Sequence, residues 1–193
     1  MNLLAHAYLS FNDPGILTGN MISDFVKGKK KFDYSLRVQQ GIALHRHIDA
    51  YTDAHASVKV AKEVFRPVYR LYSGALVDIV FDHFLAIDES EFQGNLQAFS
   101  NRTYQQLEEF EPSFPEPFRQ MFPYMKAHDW LYNYRSAAGI ERSFAGLVHR
   151  SKYLTESNSA IRIFHQQYDQ LKTAYTSFFP ALKKYAYEIF IDL

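Results

Sequence analysis

Apolar residues recur at intervals of three and four along nearly all 193 residues, and the short apolar runs fit the same period better than a strand alternation. The pattern predicts an all-α fold, a single compact domain over residues 1–193 built from about eight helices. After a short opening helix, Asn12-Asp13-Pro14 reads as a cap followed by proline in the first turn. Gly28 suits the position past the last turn, which brackets a helix over 14–27. Asp33 can cap a helix over 34–53, Pro67 bends or interrupts the next one, and Ser73 opens a helix ending near Asp88. Further helices are expected over 91–110, 116–134 and 137–153. The last one, over 158–191, has Pro180 in its interior and should kink or split there.

Composition sharpens the core more than the function. Aromatic residues make up 17% of the chain, with 17 Phe and 14 Tyr, so the core should be rich in rings. Trp130, Tyr132 and Tyr134, and Phe164, Tyr168, Tyr175, Phe178 and Phe179, are read as part of it. The 21 basic residues balance the 21 acidic ones, so there is no global field to attract nucleic acid. The absence of cysteine excludes disulfides, thiolate metal sites and cysteine nucleophiles. The opening MNLLAHAYLSFNDPG has neither a basic n-region nor a long apolar stretch, so no signal peptide and no membrane span are expected, and a cytoplasmic protein is.

Candidate chemistry sits in the first ninety positions, in four clusters: His6; Asn20 with Asp24; His45 with Asp49; and Asp78 with Asp82 and His83. Residues four apart share a helix face, the spacing used by helical metal sites that draw two ligands from one helix. The segment from Gly74 to Ile87 is apolar on every side except at Asp78, Asp82 and His83, which predicts a buried helix. Buried carboxylates need a partner, either a divalent cation or a buried arginine such as Arg46 or Arg135. A nitrogen and oxygen donor set without sulfur suits Mn²⁺, Mg²⁺, Fe²⁺ or Zn²⁺.

Plainer readings exist for each cluster taken alone. His6 can be a hydrogen-bonded core histidine, Asn20 a helix contact or an orienting amide, and His45 with Asp49 an exposed pair beside Arg46 and His47. Their coincidence favours a metal centre. Lys27, Lys29, Lys30 and Lys31 form a basic run that is either a solvated helix end or a docking surface for an acidic partner. Arg135, Arg142, Arg150 and Lys152 form a second basic set able to hold a phosphate if they face the same pocket.

In order and spacing these residues resemble the bacterial acyl carrier protein phosphodiesterase family. The likeness runs through Met1-Asn2-Leu3-Leu4-Ala5-His6 with Leu9, and Gly19-Asn20 with Asp24-Phe25-Val26 and Gly28. It continues through Gly41-Ile42, His45-Arg46, Ile48-Asp49 with Thr52-Asp53, and Asp78 with Asp82-His83-Phe84-Leu85. Trp130-Leu131 with Tyr134-Arg135, and Tyr168-Asp169 leading to Phe179-Pro180, extend it over nearly the whole chain.

The resemblance implies a hydrolase that cleaves the phosphodiester between 4′-phosphopantetheine and a serine of holo acyl carrier protein, yielding the apo protein. It also implies an HD-domain-like helical bundle distantly related to metal phosphohydrolases, with a preference for Mn²⁺. The histidine-aspartate dipeptide of such enzymes is replaced here by the reversed Asp82-His83, and the family's functional aspartate maps onto Asp24. On this reading Asp24, His45 and Asp82, with Asp78 or Asp49, hold the metal, and His83 or His6 protonates the departing serine oxygen. Asn20, Arg46, Arg135 and Arg150 would meet the phosphate, and Lys27 to Lys31 would dock the acidic carrier protein. Two rival readings stand beside it: a phosphohydrolase of nucleotides or other small phosphodiesters, and a non-catalytic helical module that binds a carrier protein. A di-iron bundle is disfavoured because its Glu-x-x-His pairs are missing.

Overall fold

A computed structural model describes all residues, 1–193. The chain is all-α, as its periodicity predicts, with twelve α-helical segments and four short 3-10 turns. Helix α1 (Leu3–Tyr8) and α2 (Pro14–Ile22) are followed by α3 (Leu36–Ala54), α4 (Ala56–Tyr69) and α5 (Ser73–Ala86). Then come α6 (Glu89–Phe92), α7 (Leu96–Glu108), α8 (Glu116–Ala127), α9 (Trp130–Asn133), α10 (Ala137–Arg150), α11 (Asn158–Gln166) and α12 (Tyr168–Ile191). The count exceeds the sequence expectation because the stretches read as 91–110, 116–134 and 158–191 each divide into a short and a long helix.

Helix α2 starts where the sequence says it should. Asp13 accepts a hydrogen bond from Ile16 N at 2.9 Å, and Pro14 fills the first turn. It ends sooner than residue 27, tightening into a 3-10 turn over Ser23–Phe25, and Gly28 takes the positive φ of +59° expected of it. Ser35 rather than Asp33 stands at the cap of α3. Pro180 neither breaks nor splits α12; the ring lies on the exposed face, where water can meet the carbonyl it strands. The break falls instead at Gln167, between α11 and α12.

The core is built around α5, which buries Leu76, Val77, Val80, Phe81, Phe84 and Leu85. Rings from α12 close over it: Phe81 lies 5.5 Å from Phe178, and Phe84 lies 5.7 Å from Tyr175, centroid to centroid. The rings read as core are largely so. Tyr134, Phe164, Tyr175, Phe178 and Phe179 are buried, whereas Trp130, Tyr132 and Tyr168 are partly covered. Helices α2 and α3 pack face to face without side chains between them at Gly19 and Gly41. That contact sets Asn20 and Asp24 beside His45 and Asp49. No helix is long and apolar enough to cross a membrane.

Candidate metal centre

Four segments meet at one end of the bundle. α1 contributes His6, α2 contributes Asn20, the 3-10 turn after α2 contributes Asp24, and one face of α3 contributes His45 and Asp49. The rings of His6 and His45 stack with centroids 4.0 Å apart and 14° between planes. Both are buried, at 4% and 6% exposure. His6 Nε2 lies 3.2 Å from Asp49 Oδ1, and His45 Nε2 lies 3.1 Å from Asp49 Oδ2 and 3.2 Å from Asp24 Oδ1.

Asn20 fixes the tautomer of both rings. Its Nδ2 donates to His6 O at 2.9 Å and to Ser10 Oγ at 3.1 Å, so its Oδ1 is the acceptor facing His6 Nδ1 at 2.7 Å. Its backbone carbonyl faces His45 Nδ1 at 2.7 Å. An oxygen acceptor requires an N–H opposite it, so both Nδ1 atoms are protonated and, in the neutral rings, both Nε2 atoms carry lone pairs. Those two atoms are buried and have no hydrogen-bond partner. Two lone pairs facing a carboxylate across about 3 Å repel unless a proton or a metal cation sits between them.

The donor chemistry therefore fits a divalent cation. Ligand atoms of His6, His45 and Asp49 lie within 4.8 Å of one another, and imidazole with carboxylate is an ordinary set for a first-row metal or zinc. Asp24, with its side chain 77% exposed, stands at the solvent edge beside these three, its Oδ1 3.2 Å from His45 Nε2.

Electrostatics follows from the stacking. Burial, then the neighbouring His45, pulls His6 down to about 4. The same burial penalty applies to His45, but Asp24 and Asp49 override it and carry its pKa up to about 9. Burial works to raise Asp49, and the two imidazoles win, holding it far below the carboxylate range. His45 thus has a folded pKa above its ordinary 6.5. Its stabilising contribution is complete below that value and is lost as pH rises through about 9. The thermal midpoint of chelator-treated protein is expected to fall between about pH 7 and 10, and His45→Gln to flatten that fall. A wild-type midpoint constant across this range would contradict it.

The remaining residues singled out from the sequence have other neighbours. Asp82 is fully buried on α5, and its carboxylate accepts from Leu4 N at 2.7 Å, Ala5 N at 3.2 Å and Asn2 N at 3.4 Å. It serves as the missing N-cap of α1, whose own cap residue Asn2 makes no side-chain cap bond. Asp78 lies 3.2 Å from the amino nitrogen of Met1. His83 donates its Nδ1 hydrogen to Tyr134 O at 2.8 Å and is walled by Phe84, Phe164 and Tyr168. Arg46 and Arg150 are exposed, and Arg135 is exposed with its guanidinium 4.3 Å from the Tyr132 ring. Lys27, Lys29 and Lys30 are exposed and Lys31 is half-buried on the segment that follows Asp24.

An all-α domain in which two tautomer-locked histidines converge on an aspartate has a donor set that could hold a metal ion. The comparisons with known proteins specify it further. A model of the acyl carrier protein phosphodiesterase family matches residues 1–182. The acyl carrier protein phosphodiesterase of Klebsiella pneumoniae subsp. pneumoniae is 32% identical over 188 residues, covering 96% of this chain and 97% of that one. The enzyme of the same name from Photorhabdus laumondii is 30% identical over 188 residues, covering 96% and 95%. That of Escherichia coli O6:H1 is 30% identical over 188 residues, covering 96% and 97%. No solved structure matches the chain. The chain belongs to the acyl carrier protein phosphodiesterase family, and the hydrolase class that its resemblance implies is the class of that family.

Proposed function

We propose that this protein is a metal-dependent phosphodiesterase that hydrolyses the bond between 4′-phosphopantetheine and the serine of holo acyl carrier protein, releasing the apo protein and 4′-phosphopantetheine. The relatives' names support the substrate. The observation that supports the metal dependence is the pair of buried Nε2 atoms of His6 and His45, without hydrogen-bond partners and 3.2 and 3.1 Å from the two oxygens of Asp49, where a cation can take the place of a proton.

In this reading His6, His45 and Asp49 hold the cation, with Asp24 closing the set from the solvent side. Mn²⁺ suits these donors, and Mg²⁺, Fe²⁺ and Zn²⁺ compete for them. A bound divalent ion lowers the pKa of a water molecule and polarises the phosphoryl oxygens. Asn20 holds both rings by their Nδ1 hydrogens so that the Nε2 atoms stay aimed. Asp24, the most exposed of the set, orients the attacking water. His6 is thereby a ligand rather than a proton donor.

The carrier protein docks on the segment that follows Asp24. Lys27, Lys29 and Lys30 stand there with exposed Phe32 and Leu36, at 64% and 72%, and the Lys31 ammonium lies 5.0 Å from the Phe32 ring centroid. A basic rim around apolar side chains matches an acidic amphipathic partner. Replacing Lys27, Lys29 and Lys30 by glutamate is expected to raise KM at least tenfold with kcat within about twofold, and to remove the salt dependence of kcat/KM. An unaltered KM would place docking elsewhere.

The direct test is incubation with holo acyl carrier protein and Mn²⁺, with and without chelator, followed by the intact mass of the carrier protein. Chelator-sensitive loss of the phosphopantetheine mass is expected. An unchanged carrier protein alongside turnover of small phosphodiesters would overturn the substrate and keep the metal chemistry, and chelator-insensitive turnover would overturn the metal.

A further inference from the structure

Two polar stripes pass the centre and meet at a lysine that no spacing in the sequence singles out. On α3 the stripe is His45, Asp49 and Asp53, each four residues from the last, and on α5 it is Asp82, Asp78 and Gly74 at the same interval. Lys62 of α4 joins their ends, with its Nζ 2.7 Å from Asp53 Oδ1. Its side chain lies across Gly74, where a Cβ would come within 3.3 Å of Lys62 Cε and 3.6 Å of Nζ. Asp53 is one helical turn, roughly 6 Å, beyond Asp49. The ammonium beside it therefore borders the carboxylate that faces both histidines, and its charge also acts on Asp78.

Lys62 is better fixed than its partner. Its side chain is 17% exposed and rests on Gly74, whereas that of Asp53 is 75% exposed and pairs with it through screening water. An ion pair of that kind is weak and exchanges readily for a stronger anion. A phosphodiester has two non-bridging oxygens. With one of them drawn to a cation at His6, His45 and Asp49, the other keeps its charge, and attack on phosphorus increases it. The carboxylates of Asp24, Asp49, Asp53 and Asp78 repel such an anion, so a side-chain cation on their own face is needed to admit it. Arg135, expected from the sequence to meet the phosphate, lies over the Tyr132 ring instead.

We propose that Lys62 is a phosphate-binding residue of this site, its ammonium leaving Asp53 for a non-bridging oxygen of the phosphodiester and neutralising the charge that builds up there. Asp53 keeps the ammonium in place until the substrate arrives. The inference rests on the phosphodiesterase reading above and supplies the group that meets the substrate anion.

Calorimetric titration of inorganic phosphate into Mn²⁺-loaded protein, with turnover of holo acyl carrier protein measured alongside, tests it in wild type, Lys62→Met, Lys62→Arg and Asp53→Asn. Lys62→Met is expected to weaken phosphate binding and to lower kcat/KM, each about 10- to 100-fold, with Mn²⁺ affinity within about threefold of wild type. Lys62→Arg keeps the charge and should recover most of both losses. Asp53→Asn separates a phosphate ligand from a mere tie between α3 and α4, because it breaks the same ion pair and frees the ammonium, so phosphate affinity should hold or rise. A Lys62→Met protein with unchanged phosphate affinity and turnover overturns the proposal, and so does an Asp53→Asn protein that loses both as Lys62→Met does. Should Lys62→Met fail to fold, Lys62→Gln, polar but uncharged, decides by the same criterion. A wild type that turns over holo carrier protein without any cation would instead bring down the metal reading, and the same comparison made without Mn²⁺ still decides the lysine.

Discussion

Replacing Asp49 by asparagine is expected to lower turnover of holo acyl carrier protein by roughly three orders of magnitude or more, and to abolish stoichiometric Mn²⁺ uptake. Asp49 is the one residue whose two oxygens each face a different histidine, Oδ1 toward His6 and Oδ2 toward His45. An amide has the same shape and no charge, so it cannot balance a cation, and its NH₂ competes for a lone pair that the metal needs. The fold should survive, because Asp49 is half-exposed and its partners are local. A second signature separates ligand loss from general damage. The Asp49→Asn change removes one of the carboxylates that raise His45, so the alkaline fall in the thermal midpoint of chelated protein should shrink with it. Asp24→Ala, which removes a donor facing His45 alone, is expected to cost less, about a hundredfold. Intact-mass turnover assays and Mn²⁺ calorimetry on the purified variants read both effects. An Asp49→Asn protein with full metal content and turnover within about threefold of wild type would exclude Asp49 as a ligand.

Much of this centre can be read from the chain, and the remainder is hidden for identifiable reasons. The pairing of His45 with Asp49 follows from helical spacing, and the cap at Asp13 with Pro14 places the helix that carries Asn20. The apolar surroundings of Asp78 and Asp82 correctly place them on a largely buried helix with a need for partners. What spacing cannot reveal is which partner each finds. Asp82 meets backbone N–H groups of α1 and Asp78 meets the backbone nitrogen of Met1, and neither donor leaves a mark in a side-chain pattern. Pro180 illustrates the reverse difficulty. A proline inside a helix breaks it only if the freed carbonyl and the ring lack room, and on the solvent face of α12 they have it. His6 needed the three-dimensional stack with His45 to stand out as a candidate ligand, because its own helix has six residues and offers no second ligand at helical spacing.

Gly41→Ala is expected to destabilise the protein by about 3 kcal/mol or more, a large effect for the addition of one methyl group. A Cβ at residue 41 would lie 2.3 Å from Ile16 O and 2.9 Å from Gly19 Cα, and one at residue 19 would lie 2.0 Å from Val38 O. These neighbours are backbone atoms, which cannot swing aside as a side chain end can, so α2 and α3 must separate. Separation breaks the site as well as the packing. Asn20 follows Gly19 directly, and its carbonyl and side chain hold His45 Nδ1 and His6 Nδ1 at 2.7 Å each. Folded Gly41→Ala protein should therefore bind Mn²⁺ more weakly although no ligand has changed. Gly146 in α10 supplies the matched control, since a Cβ there meets only the mobile end of Arg150 at 3.4 Å. Alanine at 146 should be neutral or stabilise by up to about 1 kcal/mol through helix propensity alone. Urea unfolding of the two variants beside the wild type measures both signs. A cost below about 1 kcal/mol for Gly41→Ala would show that the helices can part without loss, and that the close α2 to α3 contact is not what sets Asn20 against the two histidines.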